Sequence, residues 1–360
     1  MRSVLGTAAT CLLLLLVSPS TAHPAPTASP DARHHSLEWQ SVDVGTAQGL
    51  RGLDANSRHH AWVSGSTGGV WKTNDGGRSW TDVSPPEATG LSLRDVEIVR
   101  PGHVLVLAIG EGEDSRIFRT TDGGSTWTQP FVNDHPDAFY DCVAMWPGGR
   151  RGIAMSDPVE GKFRIIETRD AGASWSVVDP AGMPDAVEGE FGFAASGTCL
   201  VTAGRSDAFL ASGGGASRIF HSRDFGHTWT VRDSTIPAAA SGGVFSLAIR
   251  HPWKGLAVGG DFEAADIGED MSAYSNNRGR SWTNGGDLEG YRSGVDWLPR
   301  TRHGGHATAV AVGPSGSDVT YDGGRHWQTF SDTGFDSVQC LRDGSCWASG
   351  SGGRVARLMR

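Results

Sequence analysis

Three arginines, Arg51, Arg94 and Arg292, each follow an apolar or aromatic residue in short segments that recur along the chain: Leu50-Arg51-Gly52-Leu53, Leu93-Arg94-Asp95-Val96 and Tyr291-Arg292-Ser293-Gly294. Aligned by pattern with four further segments, they form one column, completed by Tyr140, Phe191, Phe245 and Asp336. A guanidinium fork grips carboxylate or phosphate in bidentate fashion. A ring of such forks around one opening would bind a polar or anionic ligand, with Tyr140, Phe191, Phe245 and Tyr291 adding apolar contact. The competing reading is that each arginine pairs with an acid nearby, such as Asp336, Asp95 or Asp141, and merely closes a channel. Carboxylates are the second reactive class. Glycoside hydrolysis needs two of them roughly 5–10 Å apart; Asp95, Asp141, Glu190 and Asp336 are candidates whose separations the sequence does not set. Loops expected to rim the same opening carry Glu111, Glu113 and Asp114, then Asp157 and Glu160, then Asp261, Glu263, Asp266, Glu269 and Asp270. Loops longer than their equivalents often carry binding, but these acids match no known calcium-loop spacing. No Cys-x-x-Cys pair, haem signature or dinucleotide fingerprint occurs, so no metal or cofactor is expected.

The elements that must position these residues are announced by a repeat. Ser/Thr-x-Asp-x-Gly-x-x-Trp occurs at Thr73/Asp75/Gly77/Trp80, Thr120/Asp122/Gly124/Trp127, Thr168/Asp170/Gly172/Trp175, Ser222/Asp224/Gly226/Trp229, Ser275/Asn277/Gly279/Trp282 and Thr320/Asp322/Gly324/Trp327. The Trp-to-Trp steps of 47, 48, 54, 53 and 45 suit a four-stranded propeller blade. The role of the box is structural. Its Asp and Ser/Thr oxygens accept bonds from turn amides, Gly supplies a positive φ, and Trp points between sheets, where its truncation would cost about 3 kcal/mol.

The chain ends complete the count. Leu37-Glu-Trp39-Gln-Ser-Val-Asp-Val44 matches the strand after a box, and Trp347-Ala-Ser-Gly-Ser-Gly-Gly-Arg-Val355 matches Trp62-Val-Ser-Gly-Ser-Thr-Gly-Gly-Val70. Three C-terminal strands plus one N-terminal strand make a last blade that hides both sheet edges. The expected fold is therefore all-β: a seven-bladed propeller of four-stranded blades over 37–360, closed by the N-terminal strand. High Gly (51) and Trp (13) contents and the lack of long helical periodicity agree. Before it, Arg2 and the apolar run Val4–Val17 read as a signal peptide over 1–22, cut near Ala22, with Cys11 inside the run and not a lipidation site. Residues 23–36, rich in Pro, Ala and His, read as a disordered linker. The mature chain would be a monomer without a membrane span, secreted or wall-associated. A formal charge of −9 without a basic stripe argues against nucleic acid. Cys340 and Cys346 flank the Asp343-Gly344 turn and would pair across a hairpin in an oxidising compartment; Cys142 with Cys199 is a weaker pairing.

The boxes resemble the BNR or Asp-box repeats found in sialidases, xyloglucanases and sortilin-type receptors. With repeats such as that from Gly68 to Val83 and a seven-blade count, nearly the whole mature chain resembles the photosystem II stability and assembly factor group. That resemblance implies a non-catalytic assembly or binding propeller that holds a protein segment, with arginines implicated. It does not carry over the physiological partner, because fold does not fix activity. The alternative is a secreted glycan-active hydrolase or lyase using Arg51, Arg94, Arg292, Tyr140 and Asp141 in the manner of sialidases. However, neither six blades nor an Arg-Ile-Pro motif is found. An oxidoreductase is the third and least supported class.

Overall fold

Each box repeat folds as an antiparallel meander of four strands. In blade one these are Leu50–Ala55, Ala61–Gly65, Val70–Thr73 and Thr81–Asp82. The structure, a computed structural model, describes residues 37–250, 254–299 and 307–359. The expected signal peptide and linker lie outside the described residues. Among those described, no helix is long and apolar enough to cross a membrane.

Seven such sheets make the propeller. The remaining inner strands are Ser92–Arg100, Tyr140–Met145, Leu200–Ala203, Gly242–Arg250, Gly294–Trp297 and Ser337–Cys340. Blade seven closes as its pattern predicts: Glu38–Asp43 pairs antiparallel with Arg354–Met359, Trp39 opposite Leu358 and Val42 opposite Val355. Second strands are sandwiched between neighbouring blades and buried on both faces. They therefore read as unbroken apolar runs, as in Val104–Ala108, instead of alternating. The meander fixes two faces. Inner strands start on one, where links between blades and second-to-third-strand loops lie. First-to-second-strand turns and box turns lie on the other.

The boxes are built as their chemistry requires. In blade one Thr73 Oγ1 donates to Asp75 Oδ1 (2.9 Å) and accepts from Gly77 N (2.9 Å), while Ser79 donates its amide and hydroxyl to the two Asp75 carboxylate oxygens (3.0 and 2.6 Å). The hydroxyl and amide of Ser79 hold the Asp75 carboxyl down to about 2, and Thr126 does the same for Asp122. The same pattern recurs at Asp170, Asp224, Asn277 and Asp322. The last box Gly also joins blades. At Gly124 (φ +88°) a Cβ would stand 2.6 Å from Val83 of blade one, and at Gly77 (φ +84°) 3.0 Å from Val42 of blade seven. Box tryptophans cross the same seam: Trp127 stands edge-on to Trp62 (6.4 Å), and Trp80 to Trp347 (6.1 Å).

The inner strands are tied by a second set of bonds. Their channel-side amides have no further strand to pair with, so side chains from the preceding blade serve instead. Asp54 accepts from Ile98 N (2.5 Å), Asp95 from Val143 N (2.8 Å), Ser246 from Val295 N (2.9 Å) and Asp296 from Cys340 N (2.7 Å), and Gln339 accepts from Ala55 N to close the ring. The seam between blades three and four is held differently, by the Cys142–Cys199 disulfide and a bond from Thr202 Oγ1 to Met145 O (2.7 Å). Cys340 and Cys346 are bonded across their hairpin.

Candidate functional site

The funnel on the inner-strand-start face is shaped by a recurrent irregularity. Register shifts between Leu50 and Gly52, Leu93 and Asp95, Tyr140 and Cys142, and Val244 and Ser246 put a β-bulge at the same place in four inner strands. A bulge leaves one residue unpaired and re-aims its side chain. The bulged residues are Arg51, Arg94, Asp141 and Phe245. Blade three is therefore one residue out of the sequence alignment: Asp141, not Tyr140, occupies the arginine column. Tyr140 is fully buried, edge-on to Phe131 at 5.0 Å, and does not reach the funnel. Asp141 is itself 2% exposed, and burial drives its carboxyl well above the ordinary range, with the Asp157 charge adding to the shift.

A second departure matters more. Glu190-Phe191-Gly192-Phe193 does not start an inner strand. Glu190–Phe191 pairs with Gly213–Gly214, which extends the sheet of blade five, and blade four's inner strand begins only at Leu200. The intervening stretch crosses the mouth of the channel. Ala194 O accepts from Arg94 Nη1 of blade two (3.3 Å), and Thr198 Oγ1 meets Ser246 Oγ of blade five (2.6 Å). Gly197 takes φ +76°, and a Cβ there would lie 2.3 Å from Asp95 Oδ1. Residues 193–195 thus floor the funnel, while 196–198 roof a cavity of about 260 Å³ in the channel below.

Above this plug lies a depression of about 420 Å³ whose walls include Arg51, Phe193, Phe245, Phe262 and Tyr291. Phe193 stacks on Phe245 (3.9 Å, 11°), and Phe191, Phe262 and Tyr291 stand edge-on around that pair. Arg51 reaches Asp336 at 3.6 Å with a third of its side chain exposed. Half-buried Arg94 donates to Ser92 Oγ (2.9 Å), and burial together with Arg51 lowers it to about 10, so it stays charged at neutral pH. Burial raises the Tyr291 hydroxyl, which is neutral at that pH.

The expected ring of three arginines does not form. Arg292 is fully buried and donates to Asp318 Oδ2 (2.6 Å) and Ser315 Oγ (2.9 Å). Its segment precedes the blade-six inner strand, so the chain turns the guanidinium inward, and Asp318 on the third strand of that blade receives it. Of the rim acids, Glu111 and Glu113 are exposed. Asp157 turns inward to accept from Gly192 N (2.7 Å), and Asp261 caps its own turn by accepting from Ser241 Oγ (2.5 Å) and Glu263 N (2.9 Å). Among the described residues no group of His, Cys, Asp or Glu is placed to hold a metal ion.

Sequence reasoning missed Phe193 and Phe262, which the plug and the blade-five loop bring together. Of the channel acids it named Asp95 but missed Asp54, Glu97 and Asp296. Burial raises Asp54 to about 6 and Asp296 to about 7 despite the amides each accepts, and it lifts Asp95 and Glu97 well above the ordinary range. Their shared place in successive inner strands was the available signal.

Comparison with known proteins agrees with the repeat. A family model described as photosynthesis system II assembly factor YCF48 matches residues 31–182. The photosystem II assembly lipoprotein Ycf48 of Synechococcus sp. (strain CC9902) is 27% identical over 185 residues, 51% of this chain and 52% of that protein. The match therefore spans about half the length of that relative. Among solved structures, YCF48 bound to D1 peptide superposes with a TM-score of 0.62 at 15% identity, covering 89% of this chain and 95% of that one. YCF48 from Cyanidioschyzon merolae gives 0.59 at 15%, with 89% and 98% covered. The resemblance to photosystem II assembly-factor propellers, read from the boxes, is borne out.

Proposed function

We propose that this chain is a non-catalytic binding propeller that holds a peptide segment of a partner protein over the funnel. The observation that carries this reading is the plugged mouth: a depression with an aromatic wall and the Arg51 and Arg94 guanidiniums beside it, closed below by residues 193–195. An apolar side chain of the peptide would lie against Phe193, Phe245 and Phe262, and a backbone carbonyl or carboxylate would meet Arg51 and Arg94. Support comes from the similar fold of YCF48 bound to D1 peptide. The acids of the glycosidase reading are otherwise engaged: Asp336 faces Arg51, Glu190 is held by Arg218 and Ser212, and Asp95 and Asp141 are buried. The two disulfides favour an exported location, free or wall-associated.

The test is calorimetry of the full chain against a peptide array that includes the D1 peptide, with Arg94→Ala and Phe262→Ala as variants. Each variant should lose binding while keeping the wild-type melting temperature. Wild-type affinity in both variants would remove the funnel as the site.

A further inference from the structure

Charge is divided between the two faces of the propeller. On the funnel face, the links between blades and the loops joining second to third strands contain Arg292 as their sole lysine or arginine among the described residues, sealed on Asp318. Of the cations at strand starts beside them, Arg51, Arg116, Lys162 and Arg218 each face an acid, Asp336, Asp114, Asp185 and Glu190. Arg94 bonds Ser92 and Ala194, and Arg354 bonds Gly334 O. The same loops hold Glu111, Glu113 and Asp114 in blade two and Glu263 and Asp266 in blade five. The opposite face is reversed. Its innermost turns, or the strand ends beside them, carry exposed Arg58, Arg100, Arg150, Arg205 and Arg342 in blades one, two, three, four and seven, against the exposed acid Asp343, which accepts from the amides of Arg58 and Ser345. The box turns outside them add exposed Arg78, Arg280 and Arg325. Box carboxylates lie on this face too, but each is folded onto its own turn amides, and the fifth box has Asn277 where the others have Asp. Arg280 therefore has no carboxylate in its own box. A chain of net −9 thus presents a ring of cations around one end of its axis.

We propose that this arginine-bearing face docks on an anionic phospholipid surface, leaving the funnel turned away from the bilayer. Complementary charge is the argument. Basic residues close to an anionic leaflet are attracted additively, and the attraction fades within a Debye length. The ring puts its cations on turns at one level, where a flat surface meets them together. The acidic loops of the other face oppose the inverse orientation. This inference does not depend on what the funnel binds.

The experiment is flotation of the full chain with vesicles of pure phosphatidylcholine or of phosphatidylcholine containing phosphatidylglycerol, at low and high salt. The readout is the difference in binding between the two lipids. Binding should require phosphatidylglycerol, fall with salt, and drop at least tenfold in the Arg58→Glu/Arg150→Glu/Arg205→Glu variant. That variant should keep its melting temperature, since these side chains are exposed. Arg51→Ala/Arg94→Ala should float like wild type. Equal flotation with both lipids, wild-type flotation of the reversed variant, or a loss confined to the funnel variant would overturn the proposal.

Discussion

Arg51 and Arg292 stand in segments that read alike and meet opposite fates, and the difference is energetic. Arg51 keeps a third of its side chain in solvent, so its contact with Asp336 is a screened pair worth at most about 1 kcal/mol. Arg292 and Asp318 have lost their water entirely, and removing one partner would strand the other charge in the interior. Arg292→Ala should therefore cost about 3–5 kcal/mol of unfolding free energy in a denaturant titration. Arg51→Ala should change stability by less than about 1 kcal/mol while weakening ligand capture. An Arg292→Ala protein as stable as Arg51→Ala would mean the buried pair carries little. The residue types were legible in the sequence, but their exposure was not, because it depends on a strand that starts two residues after Arg292 and on an acid in another strand.

At the scale of elements, the box hairpin is both a turn and a seam. Gly124→Ala would force a Cβ against Val83 at φ +88°, which combines backbone strain with overpacking. A loss of about 2–3 kcal/mol is expected from thermal or denaturant unfolding. The same change at Gly90, with positive φ but open space around it, should cost less. The two disulfides differ through the loops they close. Cys142 and Cys199 are 57 residues apart and Cys340 and Cys346 only 6. Chain-entropy arithmetic gives about 4 kcal/mol for the first and about 2 for the second. Double Cys→Ser variants compared by chemical denaturation would show whether that order holds. The boxes were legible because every ligand of the turn is within a few residues. The blade-four inner strand was not, because its pairing partner on the far side of the plug decides where it starts.

Over the whole molecule, the ring of buried acids sets the response to pH. Asp54 at about 6 and Asp296 at about 7 stay protonated in the fold after the unfolded chain, near 3.8, has released its protons. Their stabilisation is present below about pH 4 and is lost as pH rises through 6 and 7. Raised Asp95, Glu97, Asp141 and Asp157 act in the same direction. His103 and His221, lowered by burial, act against it below 6.5, but six acids outweigh two imidazoles. The box carboxylates, lowered by the turn donors and held to about 2 at Asp75, Asp122 and Asp322, withdraw their contribution only as pH falls below about 4. The melting temperature should therefore peak at about pH 4 and fall as pH rises toward about 7. Asp296→Asn should flatten the alkaline side, and an unchanged slope would show that Asp296 does not titrate there.

What the sequence determined by itself was the repeat and its consequences: six boxes at blade spacing, a split seventh blade, the turn chemistry of each Asp and Gly, and the resemblance that follows. These rest on contacts within a few residues or on a pattern copied from blade to blade, so local sequence fixes them. Tertiary structure alone decided the bulge that sets Asp141 beside the arginine column, the stretch from Phe191 to Thr198 that plugs the channel, the burial of Arg292 and Tyr140, and the meeting of Phe193, Phe245 and Phe262. Each of these joins residues from different blades. Which side chains share solvent, and which lose it, is fixed only when the ring closes.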